Sequence, residues 1–407
     1  MRRNSVVDKG RPDQRESQKI KKLSKNVIAL SGVSFFTDIS TEMIYPLLPL
    51  FLSSVLGASA SFIGVIEGAA ESVAALLKLA SGWWSDKVQK RKPLVVIGYG
   101  LATLVRPFTA IAQTATQVLG IRLADRVGKG IRTAPRDALL ADSVDPSMRG
   151  KSFGFHAAAD NAGAIIGPLV AFALLKWGHL SLRNVFWLAA IPGIIAFIVL
   201  IVAVREVKHA PEAHSDGQPA SSESLGRRFW VYLTVLLLFT LGNSTDAFLL
   251  LRANQLGIAV ALAPILWAFL NFIKSALGTW GGSLSDRFGR KPLIVGGWLL
   301  YAAVYFGFGQ ATEAWHAWAL FAAYGVFYAM TEGTEKAFDA DLVPKARRGA
   351  AFGWYNLAIG LGALPASLIF GAIWDRSSSR AAFLFGATLA LIAAVGMTAV
   401  RPATTKP

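Results

Sequence analysis

From residue 27 onward the chain is a succession of long apolar runs separated by short polar or basic segments. Most runs last 20 residues or more. That exceeds any ordinary strand and suffices for a helix to cross a hydrocarbon core, which takes about 20 residues. The pattern predicts spans near 27–56, 61–85, 92–113, 116–142, 150–176 and 184–205. After a polar segment, six more follow near 229–252, 258–283, 291–312, 316–342, 349–373 and 380–400. The expected fold is therefore an all-α membrane protein with twelve transmembrane helices. Its expected parts are a basic tail (1–25), a six-helix bundle (26–205), a linker (206–228), a second six-helix bundle (229–402) and a short tail (403–407).

One segment departs from the pattern. Residues 116–142 carry Arg122, Asp125, Arg126, Lys129, Arg132, Arg136 and Asp137. At helical spacing these charges fall within an arc of about 140°, and the remaining surface is largely apolar. A helix with one charged stripe turns that stripe toward other helices or water and away from lipid. We therefore keep it as a span.

Composition agrees with a lipid solvent. The chain is 54% hydrophobic and 16% charged, against about 25% charged in ordinary globular domains. A soluble chain this apolar would expose large sticky patches. The chain has no cysteine, which excludes disulfides, thiolate nucleophiles and cysteine-bound metals.

The net charge of +16 is explained by topology rather than by nucleic acid. Basic residues cluster in alternate loops: Lys87, Lys90, Arg91 and Lys92, then Arg149 and Lys151, then Arg205, Lys208, Arg227 and Arg228. They recur at Arg287, Arg290 and Lys291 and at Lys345, Arg347 and Arg348. The opposite loops offer little beyond Lys176, Arg183, Arg376 and Arg380. By the positive-inside rule the basic loops and both termini are expected in the cytoplasm, and the expected location is the cytoplasmic (inner) membrane. The first apolar stretch is too long for the core of a cleavable signal peptide.

The chain repeats itself with a period near 200 residues. Gly82-Trp-Trp-Ser-Asp86-Lys87 returns as Gly282-Ser-Leu-Ser-Asp286-Arg287, each followed by basic residues and then Pro93 or Pro292. Arg149-Gly-Lys-Ser-Phe-Gly154 returns as Arg348-Gly-Ala-Ala-Phe-Gly353, with Asp142 and Asp341 at equal distances before them. Two similar halves with a site between them suit a rocking transporter that exposes the site to each side in turn. A Gly near a helix end allows close approach of a neighbour. An Asp there accepts hydrogen bonds from a facing helix start or a nearby Arg, so each motif reads as a latch between the halves.

On these residues the chain resembles the major facilitator superfamily (MFS). Its loop signature, Gly-x-x-x-Asp-Arg-x-Gly-Arg-Arg/Lys, is matched by Gly282, Asp286, Arg287, Gly289, Arg290 and Lys291. It is matched again by Gly82, Asp86, Lys90 and Arg91, with Lys87 for Arg and Gln89 for Gly. Arg126-x-x-x-Gly130 is similar to a fourth-span motif whose Arg is linked with proton coupling. Gly154, Gly163 and Gly167-Pro168 resemble the fifth-span signature of antiporters, with Ala171 where a further Gly is expected. The resemblance implies a secondary transporter, and its fifth-span part implies proton-coupled efflux (antiport) of a small organic molecule or drug. The basic stripe on the fourth span supports an alternative, proton-coupled uptake of an organic anion or other metabolite.

Ionisable groups inside spans are costly and are functional candidates by default. For the substrate cavity and proton coupling the candidates are Asp38, Glu42, Tyr45, Glu67, Glu71, Arg122, Arg126 and Asp160, with Asp246, Asn271 and Glu332 in the second half. Asp38, Glu42 and Glu71 are the candidate proton carriers. Each taken singly also fits a structural ion pair. Nearer the cytoplasm, Gly82, Asp86, Arg91, Arg132, Arg136, Asp137, Gly282, Asp286, Arg287 and Arg290 are expected to form the gate, and Gly154, Gly163, Gly167 and Pro168 a helix-packing surface. The five His are scattered, and no metal cluster, phosphate loop or catalytic loop is evident. We expect no enzyme, cofactor or metal. The expected partners are a small-molecule substrate, protons and the lipid bilayer, with no nucleic acid, and the protein is expected to be a monomer.

Overall fold

The computed structural model describes residues 23–88, 90–145, 148–207, 225–344 and 347–400, and of these only the backbone at 86–88, 279 and 349–350. The first half contains α1 (Lys25–Ile44), α2 (Leu48–Ser54), α3 (Ala60–Val88), α4 (Lys92–Val105), α5 (Ala115–Asp142), α6 (Arg149–Lys176), α7 (Leu182–Leu188) and α8 (Ala190–Ala203). The second contains α9 (Gly226–Gly242), α10 (Ala247–Gln255), α11 (Ala263–Phe288), α12 (Arg290–Gln310), α13 (Ala314–Asp341), α14 (Arg348–Arg376) and α15 (Ser379–Ala399). No strand occurs among the described residues.

Among the described residues, ten helical segments are long and apolar enough to cross a membrane. The two other long helices, α5 and α13, have 28 residues each, about 42 Å at the α-helical rise. The acidic and basic residues of α13 lie in the half that runs toward the basic loops, whereas those of α5 begin at Arg122 and continue to its end. The protein is thus an all-α membrane protein.

Several runs that read as single spans are broken. Pro46 has no N–H to continue α1, and the chain turns at 45–47 before α2. Pro107 similarly accompanies a tighter 3₁₀ turn over Arg106–Ala110 at the end of α4. At the position equivalent to the first break, Asn243–Asp246 separates α9 from α10. Short polar side chains there compete for the backbone and interrupt the helix. Broken helices at membrane depth are tolerated where they line a polar cavity, and the breaks at Tyr45 and at Asn243–Asp246 face one.

Within the first half α1 packs on α6 and α8, and α5 packs on α3 and α4. The second half repeats this, with α9 on α14 and α15 and α13 on α11 and α12. The halves meet chiefly along two helix pairs, α3 with α14 and α6 with α11. In the antiparallel α3–α14 seam small residues bring the backbones together. A Cβ on Gly64 would lie 2.4 Å from the Ser367 carbonyl oxygen, and one on Gly68 would lie 2.8 Å from Leu364 Cα. Ser72 Oγ donates to the Gly360 carbonyl at 2.5 Å. Toward the basic loops the seam opens: the nearest atom to a Cβ on Gly353 is Leu79 Cδ2 at 4.0 Å, and Trp83 is 70% exposed. The two halves are closed against each other at one end and parted at the basic end.

The cores differ in chemistry. The second half interlocks aromatic rings: Phe239 stacks on Trp298 at 4.5 Å, Tyr301 on Tyr305 at 4.2 Å and Phe308 on Phe383 at 5.3 Å. The first half buries more charges, Glu67, Arg106, Arg122, Asp125, Arg126 and Arg132, against Glu335 and Asp339 in the second.

Candidate functional site

The charged stripe of α5 faces α3, α4 and α1. Arg122 grips Glu67 of α3 with two bonds, Nη2 to Oε2 at 2.5 Å and Nε to Oε1 at 3.0 Å. Its other nitrogen lies 3.9 Å from Asp125. Asp125 in turn accepts from Arg106 Nε at 2.8 Å, and Arg106 Nη1 donates to the Thr37 carbonyl and Ser40 Oγ. All four charged residues are buried, and two positive and two negative charges cancel. Bidentate Arg–carboxylate geometry is the arrangement that offsets desolvation best.

One turn further along α5, Arg126 Nη2 meets Glu71 Oε1 at 3.1 Å, with the Glu71 side chain 48% exposed. Glu71 forms part of the wall of a polar cavity of about 240 Å³ between the halves, together with Tyr45, Glu67, Asp246, Tyr328 and Ser367. Two further lobes adjoin it. One, of about 310 Å³, shares Glu71 and is lined by Lys78 and Lys129. The other, of about 500 Å³, shares Tyr328 and is lined by Asp160, Lys274, Glu332 and Lys336.

Two carboxylates mark the centre. Glu42 on α1 accepts from Trp267 Nε1 on α11 at 2.7 Å, a bond that crosses between the halves. Tyr45 lies against the same indole, with centroids 5.0 Å apart, and the Arg122 guanidinium is 5.8 Å from the Tyr45 ring centre. Asp246, at the α9–α10 break, accepts from Tyr324 Oη at 2.6 Å and Tyr328 Oη at 3.2 Å. Neither carboxylate forms an ion pair among the described residues. Nearby, Lys274 pairs with Glu332 at 3.0 Å and its ammonium lies 4.7 Å from the Tyr328 ring centre. Asn271 bonds back to the Trp267 carbonyl at 3.1 Å.

Asp38 lies where α6 crosses α1. A Cβ on Gly163 would stand 2.9 Å from Asp38 Cβ, and one on Gly167 would stand 3.0 Å from Glu42 Cβ. These two glycines let α6 lie on α1, with Pro168 buried beside them; Gly154 meets open space. Asp160 is 3.8 Å from His156 Nε2. The ring of His156 sits between Ser31 and Ser34, 3.5 Å from each hydroxyl.

The residues assigned to the gate divide by location. Arg91 pairs with Asp142 and Arg290 with Asp341, the same bond in each half. Arg136 bonds Asp137 at 2.8 Å and Ser34 at 3.0 Å, and Arg132 lies over the Tyr99 ring at 4.1 Å. All of these contacts stay within one half. Asp286 and Arg287 are exposed, Gly282 meets open space and Gly82 nears only Ala134. The side chain of Asp86 lies outside the described residues.

Sequence reasoning missed three things. It did not name Asp142 and Asp341 as partners, although their equal distance from the repeated Arg-Gly motif was the signal. It did not identify Trp267, Tyr324 and Tyr328 as donors to the central carboxylates. It also did not single out Arg106, whose partner Asp125 lies 19 positions away. Among the described residues no group of three or more His, Cys, Asp or Glu could hold a metal ion.

The Major Facilitator Superfamily model matches residues 30–280 and 253–407. This chain belongs to that superfamily. It is 34% identical over 385 residues to the uncharacterized MFS-type transporter MJ1317 of Methanocaldococcus jannaschii, covering 93% of this chain and 96% of that protein. It is 25% identical over 228 residues to the quinolone resistance protein NorA of Staphylococcus aureus, covering 56% and 57%. Among solved structures, the nucleoside transporter NupG (a D323A mutant) superposes with a TM-score of 0.79 at 13% identity over 92% of this chain and 99% of that one. A bacterial homologue of the human lysosomal transporter Spinster, inward-facing and occupied, gives 0.72 at 16% identity, over 92% and 96%. At those identities the likeness is one of fold. The chain is a multi-pass membrane transporter of small molecules, a family whose members are not enzymes.

Proposed function

We propose that this MFS transporter exports a small organic molecule in exchange for protons, by alternating access of the cavity between its two halves. The observation that carries the reading is the pair of central carboxylates, Glu42 and Asp246. They lie on opposite halves, hydrogen-bonded by Trp267, Tyr324 and Tyr328 and without a basic partner among the described residues. A carboxylate that must pass from one side of a low-dielectric barrier to the other does so at least cost when neutral. Protons therefore serve as its counter-cargo. The packing of α6 glycines on α1 at Asp38 and Glu42 puts the antiporter-like segment beside the same groups, and the quinolone-resistance relative supports export. Arg126 holds Glu71 as an ion pair, so Glu71 is a weaker proton carrier than Glu42, Asp38 or Asp246.

In this reading the chain is a monomer of two six-helix bundles with twelve spans and both termini in the cytoplasm of the inner membrane. The parted basic end then faces the cytoplasm. Reporter fusions after Gln113 should score outside and those after Val144 inside; the same side for both would mean that α5 does not cross.

The uptake reading rests on Lys78 and Lys129, which line one lobe of the cavity, and Lys336, which lines another. Everted membrane vesicles with an acidified lumen separate the two. Export predicts that a mixed panel of drugs and metabolites contains a compound that accumulates in the lumen and leaks out when a protonophore is added. If accumulation requires right-side-out vesicles in acidic medium, the protein is an importer.

A further inference from the structure

At the closed end the last turn of α14 meets the first turn of α3. Asp375, next to the last residue of α14, accepts from the backbone N–H of Ala60 at 3.0 Å with Oδ1 and from that of Ser61 at 2.7 Å with Oδ2. Those N–H groups belong to the start of α3, where the helix has no internal acceptor for them. The carboxylate thus does what an N-cap does, but from the other half of the protein and across more than three hundred residues of sequence. It also places a negative charge at the positive end of the α3 dipole.

The setting makes this contact dependent on conformation. From Asp375 inward, α3 and α14 stay in close contact at Gly371–Ser61, Gly64–Ser367 and Gly68–Leu364 and through the Ser72 hydroxyl on the Gly360 carbonyl. Beyond Leu79 and Gly353 they separate. In alternating access this seam must part at the closed end when the other end shuts, and the two N–H bonds to Asp375 cannot survive that movement. The geometry points to Asp375 as the positioning residue that holds the end opposite the basic loops closed. The seam is antiparallel, so the end of each helix faces the start of the other. The sequence places Asp86 two residues before the end of α3, near the start of α14 at the opposite end of the antiparallel pair.

This inference rests on the alternating-access reading, and the test separates the two. The chain has no cysteine, so single reporters are clean. Ser367→Cys lies in the closed seam, with Ser367 2% exposed, and Leu79→Cys lies at the parted end, with Leu79 39% exposed. In the parent, a membrane-impermeant maleimide should label Leu79→Cys only in everted vesicles and Ser367→Cys only slowly from outside. Failure of that pattern would sink the reading of sidedness and leave Asp375 to be judged on its own variants.

In Asp375→Ala, outside labelling of Ser367→Cys should rise about three- to tenfold, the size expected for losing a charged cap. Labelling of Leu79→Cys should fall in step, because a two-state shift moves both reporters in opposite directions. Asp375→Asn keeps one acceptor oxygen and should fall between the parent and Asp375→Ala. Unchanged rates in Asp375→Ala would overturn the proposal. So would a rise at both reporters, which signals a loosened structure rather than a shifted equilibrium.

Discussion

Arg122→Met is expected to destabilise the protein more than any other single exchange among its charged residues. Removing the guanidinium strands Glu67, which is 2% exposed and whose bonds to Arg122 at 2.5 and 3.0 Å are its ion pair. Breaking one partner out of a buried pair costs about 3–5 kcal/mol, because the other charge is left uncompensated. Glu67→Leu should cost less. It leaves Arg122 with Asp125 at 3.9 Å, and an apolar side chain replaces the carboxylate. The double variant Glu67→Leu/Arg122→Met should recover much of the single Arg loss, since a buried pair replaced by packed apolar groups is often neutral. Thermal unfolding of detergent-purified protein, followed by tryptophan fluorescence, orders the three. If the double variant is as unstable as Arg122→Met, the relay has a role beyond pairing Glu67.

That relay explains why the most awkward stretch of sequence was nonetheless legible. The stripe on α5 failed on hydropathy, yet helical spacing put its charges on one face. The structure uses that face for Glu67, Asp125 and Arg106. Partner identity was harder, because depth and charge allow Arg122 and Arg126 each to pair with either Glu67 or Glu71. Only the angular register of α3 against α5 decides between the pairings.

The helix breaks were less legible. The run 27–56 reads as a single span although Pro46 lies at its break, and Asn243–Asp246 carries no proline, its disruption following from side chains bonding locally. That break places Asp246 in the cavity. The crossing of Glu42 to Trp267 was not legible at all, since an indole in a span ordinarily packs or marks an interface. The bond depends on the two halves being closed against each other at that depth. Sequence periodicity describes each helix but carries no information about that closure.

The second large effect is on coupling. Glu42→Gln or Asp246→Asn should abolish pH-gradient-driven transport while leaving substrate exchange at least partly intact. Each change preserves shape and hydrogen-bonding capacity toward Trp267 or Tyr324 but fixes the group in a permanently uncharged state. A carrier so fixed can still reorient with substrate bound, and exchange moves no net proton. It cannot release a proton on one side and reload it on the other, so one pH unit, worth about 1.4 kcal/mol per proton, no longer performs work on the substrate.

Asp38→Asn tests the third carboxylate. It lies one helical turn from Glu42, and a Cβ on Gly163 would stand 2.9 Å from its own Cβ. Arg126 acts through Glu71 at 3.1 Å. Arg126→Lys keeps the charge but loses the planar fork, so it should impair coupling less than Arg126→Ala. The measurement is gradient-driven accumulation beside counterflow exchange for each variant in the same proteoliposomes. Loss of both activities in Glu42→Gln and Asp246→Asn would make these residues substrate ligands without a proton role. Full gradient-driven accumulation in all three carboxylate variants would move the proton to Asp160, whose Oδ1 is buried without a hydrogen-bond partner among the described residues, or would remove proton coupling from the mechanism.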